Sequence, residues 1–235
     1  MQKAWRAFTS FILILTLILC AFELFRCGQY VVKSIQHGVY QGYLWLAIGM
    51  VGFLLMSVLF FKKNRHFVHT LAHEFAHFLV GALFLRRKIT EFNAKAIEYI
   101  KSGENLGEVW SVGETNVFMA LAPYMLPYIT FIFVFIRLMI KPDCLPIIDF
   151  IIGFTLMFHF SCWKSYMGSY QGDLKVCGVF RSYLFIWTFI IFNFTIIVYA
   201  LSGGMSHPVD IIQANVIWFS QAWTDIQSLI ALFAK

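Results

Sequence analysis

Long apolar runs alternate with short polar breaks along this chain, and the runs recur at lengths near the ~20 residues a bilayer crossing requires. Six stretches qualify: about 7–25, 39–61, 66–85, 116–137, 144–163 and 177–201. The second is the cleanest, with no charge from Val39 to Phe61. The first follows Lys3 and Arg6 and runs largely apolar from Ala7 to Phe22, like the start of a signal peptide. No small-x-small cleavage site follows it, so an uncleaved transmembrane helix is expected. The pattern predicts an all-α integral membrane protein with about six transmembrane helices.

The interruptions carry their own predictions. Residues 86–115 form the sizeable polar stretch, with five basic residues and five acids. Ala96–Lys101 and Gly107–Val112 have strand character, and Ser102-Gly103-Glu104-Asn105 between them is turn material. A small β-hairpin insertion is expected there, with an ordinary connecting loop as the alternative. In the fourth stretch, Ala122-Pro123-Tyr124-Met125-Leu126-Pro127 sets two prolines four apart, which predicts a kink or a substrate-facing break. Ser202 to Pro208 ends the last stretch. Beyond it, Trp218, Trp223, Ile226 and Phe233 alternate with Gln213, Gln221 and Asp225, as in an amphipathic helix at the membrane surface; a seventh crossing is the alternative. The expected organisation is a single polytopic domain over 1–235. Its core is 66–201, with accessory helices over 1–61 and an interfacial helix over 209–235.

Composition supports this picture. The chain is 60% hydrophobic and 13% charged, and a soluble domain would carry roughly twice that charge. A net charge of +6 suits contact with anionic lipid, and no basic stripe interleaved with aromatics supports a nucleic-acid partner. The positive-inside rule finds eight basic residues on one side and nine on the other, so it assigns no orientation. None of the five cysteines forms a C-x-x-C pair, and they read as packing thiols.

The third stretch changes the argument. It holds His66, His69, His73 and His77 with Glu74 among mostly apolar residues. Ionisable groups at membrane depth are costly, and their presence points to function. His73-Glu74-Phe75-Ala76-His77 is an H-E-x-x-H pattern. On a helix its two histidines differ by about 40° in direction and about 6 Å in height, so both imidazoles reach one metal ion. The Glu between them can take a proton from an attacking water. Seven His and seven Glu in 235 residues give roughly 0.006 chance matches. The competing reading is of buried histidines satisfied by backbone or by each other.

A catalytic zinc site needs a third protein ligand and one open position. Asp173 is the first choice, because it follows Gln171-Gly172 just ahead of the sixth stretch. Asp149, near the start of the fifth, is its rival, and His159 and His69 are further candidates. In other readings Asp173 caps the following helix, Asp149 sits at an interfacial helix start, and His69 orients a ligand.

These residues carry a resemblance. His73-Glu74-Phe75-Ala76-His77 in an apolar helix, the polar segment after it, Ala122-Pro123-Tyr124, and His159 through Gln171-Gly172-Asp173-Leu174 to Gly178 span roughly 66–200. Together they resemble the site-2-protease-type intramembrane zinc metalloproteases, in particular their small bacterial relatives. The last element is similar to a Q-T-D-[LI] motif but has Gly172 in place of Thr, and neither N-P-x-x-D-G nor L-D-G occurs. The resemblance implies zinc held by His73, His77 and Asp173, with Glu74 as general base. It implies an endopeptidase that cleaves transmembrane or membrane-proximal segments, located in a bacterial inner membrane. The alternatives are a lipid or amide hydrolase, a metal-binding or transport protein using the histidine row, and a degenerate relative without turnover.

Overall fold

The computed structural model describes residues 2–59, 65–86, 88–94, 107–111, 116–167 and 171–202, with separate positions between 213 and 228. The chain is mostly helical. The order is α1 (Gln2–Gln36), α2 (Gln41–Leu59), α3 (Arg65–Leu79), β1 (Ile89–Ala94), β2 (Gly107–Ser111), α4 (Val117–Met125), α5 (Tyr128–Arg137), α6 (Leu145–Tyr166), α7 (Gly172–Lys175) and α8 (Val179–Leu201). Among the described residues, five helices are long and apolar enough to cross a membrane, and six if the bent pair α4–α5 counts as one span. This marks a membrane protein.

The expected first crossing, about 7–25, lies within helix α1, which has 35 residues in all, about 52 Å of helix. Glu23 does not stop it, because Cys20, Glu23 and Cys27 share one buried face while Phe8, Phe11 and Phe25 stay exposed. That face packs on α8, where the Thr195 hydroxyl donates to Glu23 Oε1 at 3.5 Å.

Helices α2 and α6 pack most intimately, and two glycines allow it. A Cβ on Gly49 would land on the carbonyl oxygen of Phe150, and one on Gly153 on that of Leu46. Helices in lipid gain their contact from such small residues, because lipid tails supply no hydrophobic drive between them. Leu46, Ile148, Ile152 and Leu156 then join Val134 of α5 and Ile197 of α8 in one core. Gly49→Leu is expected to force the pair apart at a cost of about 1–3 kcal/mol. A lowered unfolding temperature in detergent would report this; unchanged melting would deny the close contact.

The two prolines act differently. Pro123 stays inside α4, whereas the chain breaks at Leu126-Pro127, with α4 and α5 bent by 68°. Proline excludes the helical conformation for the residue before it, and Leu126 is extended at φ −106°, ψ 104°. The outcome is a break rather than a kink.

The first strand is Ile89–Ala94, ahead of the expected 96–101, which lies outside the described residues. The second, Gly107–Ser111, nearly matches the expected 107–112. The two pair antiparallel, with Phe92 opposite Val109, and the segment joining them lies outside the described residues. The sheet lies beside α3, with the Phe78 and Phe92 ring centroids 5.9 Å apart. The expected helix over 209–235 also lies largely outside the described residues. Of its described positions 223–228 are helical, and Asp225 pairs with Arg26 of α1 at 2.6 Å.

Candidate functional site

Helix α3 has two faces. Phe67, Leu71 and Phe75 are exposed, whereas Thr70, His73, Glu74 and His77 are buried. Ala76 and Val80 pack against Met119 and Ala122 of α4, which seats the histidine face inward. A π-helical stretch, Val80–Phe84, follows at once. Such stretches cluster at functional sites. The His73 and His77 rings stand 82° apart with centroids at 4.9 Å, and their Nε2 atoms are 3.3 Å apart.

Asp173 comes to them from the connection between α6 and α8. Its neighbour Leu174 is fully buried in a core with Leu121, Tyr124 and Ile186, and the Ser182 hydroxyl donates to the Leu174 carbonyl at 2.8 Å. So anchored, α7 sets Asp173 Oδ2 3.2 Å from His73 Nε2 and 3.5 Å from His77 Nε2. The Tyr124 hydroxyl donates to the same oxygen at 3.4 Å. Burial opposes ionisation of Asp173, but the two imidazoles beside it outweigh burial and hold the carboxyl below the usual carboxylate range.

Two imidazole nitrogens and one carboxylate oxygen therefore lie within 4.8 Å of one another, a group that could hold a metal ion. Their spacing fits one. Bonds of about 2.0–2.1 Å to a tetrahedral ion put neighbouring donors about 3.3 Å apart. The three observed separations are 3.2, 3.3 and 3.5 Å. Protonation fits as well. His77 Nδ1 donates to the Met119 carbonyl at 2.7 Å, which leaves its Nε2 lone pair for a metal.

Pro123 explains why that carbonyl gets no hydrogen bond from the residue four further along its own helix. It stands four residues after Met119 and lacks the N–H that a helix would supply. The break further on frees more acceptors. The Tyr124 backbone bonds His159, and the Met125 carbonyl accepts from Asn193 Nδ2 at 2.6 Å. The broken helix is thus stitched to α3, α6 and α8 by side chains on three of its carbonyls.

Aromatic rings wall the site. Tyr166 lies with its ring centroid 4.7 Å from that of His73, and Tyr124 meets His73 edge-on at 5.3 Å. The Tyr166 hydroxyl is in turn bonded to Thr70 at 2.6 Å. Beside His73 a small cavity of about 20 Å³ opens between α4, α5 and α6. A larger apolar cavity of about 310 Å³ adjoins it through Ile129, Thr155 and Phe158.

The other sequence candidates lie elsewhere. Asp149 is bound to Arg137, with Nε–Oδ1 at 2.6 Å and both side chains buried. His69 spends its ring nitrogens on Ser165 and Ser161 of α6, at 2.9 and 3.3 Å. His159 is buried in α6 and stands outside the donor group. The structure thus brings His73, His77 and Asp173 together and leaves the three rivals out. Sequence reasoning missed Tyr124, Tyr166 and the Met119 carbonyl; only the last had a local signal, in Pro123.

No protein-family model, curated protein or solved structure matches the chain.

Proposed function

We propose that this protein is an intramembrane zinc-dependent endopeptidase that cleaves transmembrane or membrane-proximal peptide segments. The observation that carries this reading is the donor group itself: His73, His77 and Asp173 at tetrahedral spacing, with Glu74 buried on the same face of α3. Three protein ligands leave one coordination position open, which distinguishes a catalytic zinc site from a structural one. Bound there, zinc would supply a Lewis acid that makes water nucleophilic near neutral pH and polarises the scissile carbonyl. The protein's own groups do the rest. Glu74 takes the proton from the attacking water and returns it to the leaving amine. Met119 and Tyr124 hold His77 and Asp173 in orientation. The rings of Tyr124 and Tyr166 line the site with low-dielectric surface, where charge interactions strengthen.

A substrate helix hides its peptide groups in internal hydrogen bonds and must unwind before attack. The two-stranded sheet beside α3 offers edge backbone to pair with an unwound segment. The ion-path alternative has less to stand on, because His69 turns to the α6 serines and interrupts the histidine row. By resemblance the membrane would be a bacterial inner membrane.

The test is elemental analysis of the detergent-purified protein, with cleavage of labelled transmembrane peptides in liposomes. About one zinc per chain is expected, with cleavage lost on chelation and restored by added zinc. Absence of bound metal after reconstitution would overturn the reading.

A further inference from the structure

The small cavity beside His73 is ringed by residues that include three polar side chains with unused hydrogen-bonding atoms. Among the described residues, five buried side-chain nitrogen or oxygen atoms have no hydrogen-bond partner. Three of them, Thr130 Oγ1, His159 Nε2 and Trp163 Nε1, belong to residues lining this one cavity. A buried polar atom without a partner costs about 1–3 kcal/mol, so three at one place call for a common partner. Their roles are complementary. His159 bonds the backbone of Tyr124 through its other ring nitrogen, so Nε2 is left as an acceptor. The Trp163 indole N–H can only donate, and the Thr130 hydroxyl can do either. His159 and Trp163 are four apart on α6 and share one of its faces.

Size selects the guest. The cavity measures about 20 Å³. A water needs about 10–15 Å³ on the same measure and two to four polar partners, and a peptide group needs far more room. We propose that Thr130, His159 and Trp163 form a water-binding chamber beside His73. Resting on the hydrolase reading, its use is to supply water to the metal site from within the membrane domain. The break at Leu126-Pro127 builds the chamber, since Pro123, Tyr124, Pro127 and Tyr128 form its other wall.

Radiolytic hydroxyl-radical labelling of the full chain in detergent, stripped of metal, tests this. Radicals form where water resides and oxidise the nearest reactive side chain. Tyr124 is fully buried and lines the chamber; Cys20 is 1% exposed, intrinsically more reactive, and lies away from it. Tyr124 is expected to be labelled and Cys20 silent. His159→Phe, which removes the acceptor and adds bulk, is expected to silence Tyr124, while His159→Gln, which keeps an acceptor, retains the label. Thr130→Val, nearly isosteric, gives a second reading if His159→Phe does not fold. Tyr124 labelled no more than Cys20, or equally in wild type and His159→Phe, would overturn the chamber. In metal-loaded protein, His159→Phe is expected to lower kcat with zinc content unchanged, and an undiminished kcat would overturn the supply role. Labelling of Tyr124 in a protein that cleaves nothing would keep the chamber and discard the hydrolase. Cleavage with Tyr124 silent would do the reverse.

Discussion

Glu74→Gln is expected to keep its zinc and lose cleavage by about 10²–10⁴-fold, the range for removing a positioned general base. The substitution conserves size and removes only the ability to take a proton. Glu74 stands outside the donor group of His73, His77 and Asp173, so metal content should hold. Glu74 is buried in an apolar helix, where an ionisable group is costly and points to function. Parallel measurement of bound zinc and of peptide cleavage decides the matter. Loss of zinc would make Glu74 part of the metal's support, and cleavage at an undiminished rate would remove it from the chemistry. A transport or storage role predicts that second result.

What the sequence revealed divides along physical lines. His73 and His77 were legible because a four-residue spacing on a helix fixes two side chains on one face whatever surrounds it. The break at Leu126 was half legible: two prolines guarantee lost donors, but which of them opens the helix depends on packing, and Pro123 is held inside α4. The Met119 carbonyl that orients His77 follows from Pro123 by counting back four residues, a step that needs only the helix hydrogen-bond rule. Tyr124 and Tyr166 were out of reach. They meet His73 across about 50 and about 90 residues of chain, and no local pattern encodes such contacts. The extension of α1 beyond the first apolar stretch was not legible, because Glu23 finds Thr195 of α8 and Arg26 finds Asp225, both far along the chain. The strand at 89–94 was not legible because it contains Glu91 and Asn93 and so lacks a clean apolar alternation.

Asp173→Ala and Asp149→Ala should part company, and the contrast tests how the third ligand was chosen. Both acids stand near the start of an apolar helix, so sequence pattern ranked them closely. Geometry separates them. Asp173 shares one oxygen among His73, His77 and Tyr124, and its removal leaves only two protein donors. Metal affinity is expected to fall by more than about 100-fold, the upper figure for losing an outer partner of a ligand. Asp149→Ala should keep its zinc and lose stability instead, because the buried Arg137 guanidinium loses its counter-charge, at a cost of about 3–5 kcal/mol. Removing both charges, as Arg137→Met with Asp149→Leu, should recover most of that loss, since a buried ion pair replaced by apolar groups is often neutral. Zinc titration and thermal unfolding of the four proteins read the two effects separately. Zinc retained in Asp173→Ala would overturn the site as described, and zinc lost in Asp149→Ala without unfolding would move the third ligand to α6.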